Sequence, residues 1–185
     1  MSGAIQISKK QIIFALAGVA VAACLGVFVG SYIVQVRAEN KAKPGSGLLL
    51  KTGQLFPQHR FVEVGDNQPA LFESLRGKKS ILLFLTTDCG YCAHAVAKWA
   101  TAYPNISSQY QVYGIFYEKM PELKYYQGTR NLPFFIYNDS LGRFTSKYKI
   151  DVYPTTVGVN EEGKIAFISF GDGPVKSVED YLKKF

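Results

Sequence analysis

The pattern of apolar and polar positions predicts short strands that alternate with helices. A continuous apolar run over 80–86 is typical of a strand that is buried on both faces. Other apolar stretches bounded by turn residues predict further extended segments, over 61–64, 111–117, 133–137, 155–159 and 164–170. The last two are joined by Asn-Glu-Glu-Gly, which predicts a hairpin turn.

Helical spacing and end signals predict four helices. They cover 91–103, ended by Pro104; 121–127, ended by Gly128; 141–148, capped by 138–140; and 177–184, capped by Ser177. Strands that alternate with helices, followed by a hairpin and a last helix, indicate an α/β sandwich with a mixed sheet.

The most apolar stretch lies near the N-terminus. Residues 11–36 carry no acidic or basic side chain, and as a helix they would reach about 39 Å, more than the roughly 30 Å hydrocarbon core of a bilayer. Two lysines precede the run, so the positive-inside rule places 1–10 in the cytoplasm. We therefore predict a transmembrane anchor over 11–36, a small, polar linker over 37–47 and a folded domain over 48–185.

Two other interpretations of this N-terminal segment stay open. A cleaved signal peptide has an apolar core of about 7–15 residues, and this run is longer. Residues 21–24, Val-Ala-Ala-Cys, are similar to a bacterial lipobox, although the apolar run continues past Cys24. A retained helix and a lipid anchor would both tether the domain to a membrane, and in both cases Cys24 lies outside the chemistry of the domain.

Composition and charge narrow the class of protein. The 185 residues include 13 Phe and 12 Tyr, too many for a disordered chain, and three Cys, too few for a disulfide-stapled miniprotein. The net charge is +7. Lys9, Lys10 and Arg37 supply three of these charges around the apolar run, and the others are scattered. We therefore expect an ordinary solvated surface and no nucleic-acid partner.

The sharpest chemical signal is a Cys-x-x-Cys pair, Cys89 and Cys92, placed directly after the buried strand and at the start of a helix. Unpaired N–H groups at the helix N-terminus favour the thiolate form of Cys89, which is the nucleophile. Cys92 lies one turn further on and can attack a mixed disulfide formed at Cys89. Zinc needs about four ligands, and only Cys24, His59 and His94 remain as soft candidates. We predict a redox pair that requires no metal and no bound cofactor.

The chain resembles the membrane-anchored thioredoxin-like redoxins, the TlpA-like thiol-disulfide oxidoreductases close to the alkyl-hydroperoxide-reductase superfamily. The resemblance is carried by residues 53–57, 82–92, 138–142, 148–156 and 162–165. It implies a thioredoxin-like three-layer sandwich with a mixed central sheet and a cis peptide bond before Pro154. It also implies a single-pass protein of the bacterial inner membrane whose C-terminal domain faces the periplasm.

The same resemblance implies roles for individual residues. Cys89 and Cys92 are expected to exchange disulfides with exported protein substrates, and a redox partner in the membrane is expected to recycle the pair. Further expected site residues are the groove residues Gly90, Tyr91, Tyr153, Pro154 and Thr155, and the tuning residues Asp88 and His94.

Departures from the family pattern leave the direction of electron flow open. Asp88 stands where an aromatic residue is common, Leu83 stands where thioredoxins carry a buried acid, and no acid follows Cys92 closely. The dipeptide between the cysteines, Gly-Tyr, is the one seen in bacterial disulfide isomerases. Oxidation, reduction and isomerisation are therefore all compatible with the sequence.

Two other functions stand as alternatives. Thr86 and Cys89 reproduce the Thr-x-x-Cys element of peroxiredoxins, but no proline lies shortly upstream, and only Arg130 and Arg143 could supply the arginine that a thiol peroxidase needs. A membrane-tethered assembly factor or chaperone could use the groove without any chemistry. Two thiols in this position argue against that interpretation.

Overall fold

The computed structural model describes residues 18, 22–32, 45, 47–71, 75–171 and 177–185. The chain divides into two compact units, Met1–Ser46 and Gly47–Phe185. In the first unit, residues 22–32 are helical. Most of the predicted anchor over 11–36, the predicted cytoplasmic segment 1–10 and most of the linker over 37–47 lie outside the described residues. In the described part of the chain, no helix has the length and apolar character needed to span a membrane.

The second unit is built on a seven-stranded mixed sheet. Its strands are β1 (Arg60–Glu63), β2 (Pro69–Leu71), β3 (Lys79–Leu85), β4 (Tyr110–Phe116), β5 (Phe135–Asn138), β6 (Thr155–Val159) and β7 (Ile165–Phe170). They lie in the order β2-β1-β5-β4-β3-β6-β7. The central strands β5, β4 and β3 are parallel, and the outer pairings are antiparallel. The predicted α/β architecture with a mixed sheet is confirmed, and β2 is a strand that the hydrophobic pattern did not predict.

Helices cover the sheet on both faces. They are α1 (Gly90–Ile106), α2 (Met120–Arg130), α3 (Arg143–Tyr148) and α4 (Val178–Leu182), with a 3-10 turn (Ser140–Gly142) before α3. The predicted cap of the last helix is confirmed, because the Ser177 side chain accepts a hydrogen bond from the Asp180 N–H and the Asp180 carboxylate accepts one in return.

The central strand β3 shows why the protein has three layers. Ile81, Leu83 and Leu85 point into one core, which also contains buried side chains of α1, α2 and α4. Leu82 and Phe84 alternate with them and point into the opposite core, against α3 and the segment 48–56. A strand with period-two alternation and apolar residues on both faces must be covered on both sides. The sheet is therefore the middle layer.

Two predicted helix ends are wrong. Helix α1 continues through Pro104, because a proline in the last turn removes only one helical hydrogen bond, and the Ser107 N–H still donates to the Tyr103 carbonyl at 2.9 Å. Helix α2 continues past Gly128 and ends at Asn131, whose φ of 45° lies in the left-handed region. Asparagine tolerates this conformation, so it can end a helix as glycine does.

The predicted start of the helix over 141–148 is also wrong. Leu141 and Gly142 have φ values of 61° and 60°, so the regular helix begins only at Arg143. A residue of the predicted capping segment, Asp139, still caps the helix, although residues 140–142 separate it from the first helical residue. The Asp139 carboxylate accepts hydrogen bonds from the backbone N–H groups of Phe144 and Thr145 at 2.9 and 2.8 Å.

We predict that Gly158→Ala lowers the free energy of unfolding by about 1–3 kcal/mol. Gly158 lies opposite Phe167 in the β6–β7 pair, and a Cβ at this position would overlap the Phe167 ring. Urea denaturation measures the effect. Gly128→Ala is the matched control, because space around this position in α2 is open and the helix should gain about 0.5–1 kcal/mol. Unchanged stability in Gly158→Ala would contradict this close packing.

Candidate functional site

The cysteine pair lies where β3 passes into α1. Cys89 is the N-cap residue of α1, and its Sγ accepts a hydrogen bond from the Cys92 N–H at 3.3 Å. Both thiols are free; Cys89 is half-buried and Cys92 is buried. The Cys89 sulfur thus lies at the N-terminus of a 17-residue helix, where it accepts a backbone hydrogen bond. Cys89 is therefore placed to react with a molecule from solution.

Cys92 has the opposite environment. Burial, together with its interaction with the Cys89 thiol, raises the pKa of Cys92 to about 12. Hydrogen bonds with Thr86 oppose this shift without cancelling it. The inner cysteine therefore keeps its proton at neutral pH, and it reacts only if that proton is removed.

The segment around Pro154 lies against the outer cysteine. The Tyr153–Pro154 peptide bond is cis, as predicted. The Tyr153 carbonyl oxygen lies 3.9 Å from the Cys89 Sγ, so the structure brings the two predicted parts of the site together. Thr155 is fully buried, and its hydroxyl donates to the Val152 carbonyl at 2.6 Å. Its side chain therefore points into the protein rather than toward a substrate.

The other predicted site residues lie on the surface at the start of α1. Tyr91 is 67% exposed, and Gly90, Asp88 and His94 are exposed as well. The charge of an exposed carboxylate such as that of Asp88 is screened by solvent.

Two exposed apolar residues extend this surface, and the sequence reading did not select either. The Tyr117 ring lies 5.7 Å from the Tyr153 ring, and Leu141 is 84% exposed. Together with the floor residue Ile150 they line an open cavity of about 480 Å³ beside Tyr153. Exposed aromatic side chains of this kind are common in surfaces that contact another protein.

Glu118 is a polar site residue that sequence reasoning missed. Its Oε1 accepts a hydrogen bond from the Thr87 N–H at 2.6 Å, and its backbone carbonyl accepts one from the Asn138 side chain at 2.7 Å. The sequence did contain a signal for this residue. Glu118 follows the buried strand β4, and the carboxyl ends of neighbouring parallel strands meet at one edge of a sheet, so Glu118 could be expected near the end of β3.

His59 belongs to a different cluster from the cysteines. Its Nε2 lies 3.4 Å from the Asp139 carboxylate, and its ring packs against Phe61 and Phe144. Burial lowers the pKa of His59, although the charge of Asp139 acts in the opposite direction.

Among the described residues, no three His, Cys, Asp or Glu side chains form a group that could hold a metal ion.

The side chains that a peroxidase would use are engaged elsewhere. Thr86 hydrogen-bonds with Cys92, the buried cysteine. The guanidinium of Arg130 lies over the Tyr126 ring at 3.9 Å, and Arg143 lines a separate cavity with His59. These contacts favour thiol–disulfide exchange over peroxide reduction at Cys89.

A model of the AhpC/TSA family matches residues 53–168. The chain belongs to the AhpC/TSA family. The match covers β1 to most of β7, including the cysteine pair and Pro154, and it confirms the redoxin resemblance seen in the sequence. No curated protein sequence matches the chain significantly.

Solved structures show the same thioredoxin-like fold. A candidate thiol:disulfide interchange protein DsbE from Chlorobium tepidum has a TM-score of 0.66 and 16% identity, with 73% of this chain and 98% of that chain covered. StoA from Bacillus subtilis has a TM-score of 0.57 and 20% identity, covering 69% and 96%. The pneumococcal exposed lipoprotein thioredoxin Etrx1 from Streptococcus pneumoniae has a TM-score of 0.60 and 18% identity, covering 70% and 100%. At these identities the likeness establishes the fold of this AhpC/TSA member.

Proposed function

We propose that the protein is a thiol-disulfide oxidoreductase that exchanges disulfides with exported proteins through Cys89 and Cys92. The observation that carries this proposal is the contrast between the two thiols. Cys89 is accessible and hydrogen-bonded at a helix N-terminus beside the Tyr153 carbonyl, whereas Cys92 is buried one turn behind it. The family and the fold of the neighbours support the same chemistry.

The proposed exchange takes two successive steps. The Cys89 thiolate attacks one sulfur of a client disulfide, so that a Cys89–client disulfide forms and the second client sulfur leaves as a thiolate. Cys92 loses its proton and attacks the Sγ of Cys89, which releases the first client sulfur and forms a Cys89–Cys92 disulfide. Two electrons have then passed from the protein to the client, and the reverse sequence oxidises a client dithiol.

The surface around Cys89 is proposed to hold the client. Gly90, Tyr91, Tyr153 and the backbone at 154–155 form the predicted groove, and the exposed ring of Tyr117 extends it. The Tyr91, Tyr117 and Tyr153 rings offer apolar contacts, so client segments with aliphatic or aromatic residues next to cysteine should be preferred.

The location of the protein is a further part of this proposal. We infer a single-pass protein of the bacterial inner membrane, anchored by 11–36 and linked through 37–47 to a periplasmic redoxin domain over 48–185. The apolar run supports the anchor, and one neighbour in fold is named as an exposed lipoprotein. A domain in that location needs a membrane redox partner to recycle the pair, since it is separated from cytoplasmic thiols.

We predict that Cys92→Ser accumulates a covalent complex with a client. Cys89 still attacks, but the complex persists because no second thiol is present to release it. Non-reducing electrophoresis of the variant mixed with a disulfide-containing protein such as insulin should show a band that disappears with dithiothreitol. The absence of such a band, with Cys89 intact, would contradict the proposed exchange.

The direction of electron flow is measured by the reduction potential of the pair. Equilibration of the protein in a glutathione series gives this value. A potential near about −270 mV would indicate a reductant, and one near about −120 mV an oxidant.

A further inference from the structure

Two side-chain oxygens near the cysteine pair are buried without a hydrogen-bond partner. They are Oε2 of Glu118 and the hydroxyl of Tyr126, and no other side-chain oxygen or nitrogen in the described part of the chain has this property. Leaving a carboxylate oxygen or a hydroxyl unpaired in a protein interior costs free energy, so such atoms are rare. Glu118 is bound to the loop that carries Cys89, so an unpaired oxygen at this place indicates a role in the reaction.

The carboxyl group of Glu118 is held in place. Its Oε1 accepts the hydrogen bond from the Thr87 N–H, two residues before Cys89, and its backbone is held by the Asn138 side chain. One oxygen is therefore used to support the loop that carries Cys89. The other oxygen is left to accept a proton.

Glu118 and the inner cysteine are bound to adjacent residues of one loop. Glu118 accepts a hydrogen bond from the Thr87 N–H, and Cys92 hydrogen-bonds with Thr86. Tyr126, on α2, is 4% exposed and interacts electrostatically with both Glu118 and Cys92, but its hydroxyl forms no hydrogen bond with either. Burial raises the pKa of Tyr126, although Arg130 over its ring acts in the opposite direction, so the phenol keeps its proton at neutral pH and is not the base.

The reaction requires a base at this point. The Cys92 thiol must lose its proton before it attacks Cys89, and its burial opposes that loss. Leu83, at the position of the buried acid of thioredoxins, is fully buried and has no group that binds a proton. Glu118, which follows β4, can supply the proton-accepting group that β3 lacks at the position of Leu83.

We propose that Glu118 is the base that takes the proton of Cys92 when Cys92 releases the client. The inference rests on the proposed function. In the step, the S–H bond of Cys92 breaks and the proton ends on Glu118 Oε2. The sulfur of Cys92 bonds to Cys89 Sγ, and the Cys89–client bond breaks with its electron pair leaving on the client thiolate.

Other titratable and charged groups act on this site from each neighbouring element. They are Asp88 and Cys89 in the active loop, Tyr117 after β4, Arg130 on α2 and Tyr153 before Pro154. Burial raises the pKa of Tyr117, and it raises that of Tyr153 to about 12, so both phenols stay neutral near pH 7.

The test is stopped-flow measurement of a single turnover between the reduced protein and a fluorescent disulfide peptide, from pH 5 to pH 9. Glu118→Gln keeps the oxygen that accepts from Thr87 and removes the base. We expect its second phase, the release of the client, to slow about 100-fold at pH 7. Its rate should rise about tenfold per pH unit, because hydroxide becomes the base, whereas the wild-type rate levels off. Tyr126→Phe, on the neighbouring helix α2, should leave this phase unchanged, because the Tyr126 hydroxyl has no hydrogen-bond partner to which it could pass a proton.

Matched controls lie on the same helix. Glu122→Gln and Tyr125→Phe change exposed side chains of α2 and should leave both phases unchanged. If Glu118 acted only through its charge, Glu118→Gln would favour the Cys92 thiolate and speed up release. Unchanged or faster release therefore overturns the inference. The first phase, attack by Cys89, should persist in every one of these variants, and its absence in the wild-type protein would refute the proposed function instead.

Discussion

Cys89→Ser is expected to abolish disulfide exchange, with the rate of insulin reduction falling at least about a thousandfold. A serine hydroxyl at the N-terminus of α1 is not ionised at neutral pH, and oxygen cannot form the mixed disulfide. The buried Cys92 cannot replace the lost nucleophile, because burial and the neighbouring sulfur keep it protonated. The turbidity assay of insulin reduction by dithiothreitol-reduced protein measures the effect.

Cys24→Ser is the control for this experiment. Cys24 is the third cysteine of the chain, and it lies in the N-terminal unit rather than in the redoxin unit. Its replacement should leave insulin reduction unchanged. Full activity of Cys89→Ser would refute the proposed chemistry.

Two other experiments test the alternative functions. A double Cys89→Ser, Cys92→Ser variant that keeps its cellular function would support the non-enzymatic assembly factor. Consumption of hydrogen peroxide by the wild-type protein would support the peroxidase.

Asp139→Ala is expected to lower the free energy of unfolding by about 2–4 kcal/mol. The carboxylate is completely buried and accepts hydrogen bonds from the Phe144 N–H, the Thr145 N–H and the Thr145 hydroxyl. Its Oδ1 also lies 3.4 Å from the His59 Nε2. Truncation to alanine leaves these donors without a partner in the protein interior. Guanidinium denaturation followed by circular dichroism measures the loss.

Two comparisons make the result specific. Asp139→Asn keeps one acceptor oxygen but turns an NH₂ group toward the donors, so its loss should fall between wild type and alanine. Asp151→Ala changes an exposed carboxylate and should alter stability by less than about 0.5 kcal/mol. If Asp139→Ala were as stable as Asp151→Ala, the carboxylate would not be the cap that holds α3.

The helix ends show which local sequence signals predict a helix boundary correctly in this chain. Ser177 was correctly predicted as a cap, because its partner Asp180 lies three residues away and the capping box is complete within one turn. Gly128 was wrongly predicted as a helix end, because glycine ends a helix only where the backbone takes a positive φ. The backbone does so at Asn131 instead.

The candidate site likewise contains residues that the sequence predicted and residues that it did not. The positions of Cys89 and Cys92 on a strand–helix junction follow from a local pattern, and the structure has them there. Glu118 lies 29 residues after Cys89 in the sequence, and Tyr126 lies on the following helix. The end of β4 marks Glu118 as a candidate, but no local pattern marks Tyr126, and Glu118 reaches the active loop only because β4 pairs with β3.

By itself, the sequence determined the α/β fold, the buried central strand, the cysteine pair at the start of a helix and the apolar run at the N-terminus. These features depend on periodicity and on residues within one turn of each other, which chemistry along the chain already specifies. The tertiary structure decided which thiol is accessible, which carbonyl faces it, and which buried acids lie beside α3 and the cysteines. Those properties depend on burial and on contacts between distant segments, and burial exists only after the sheet and its two cores have assembled.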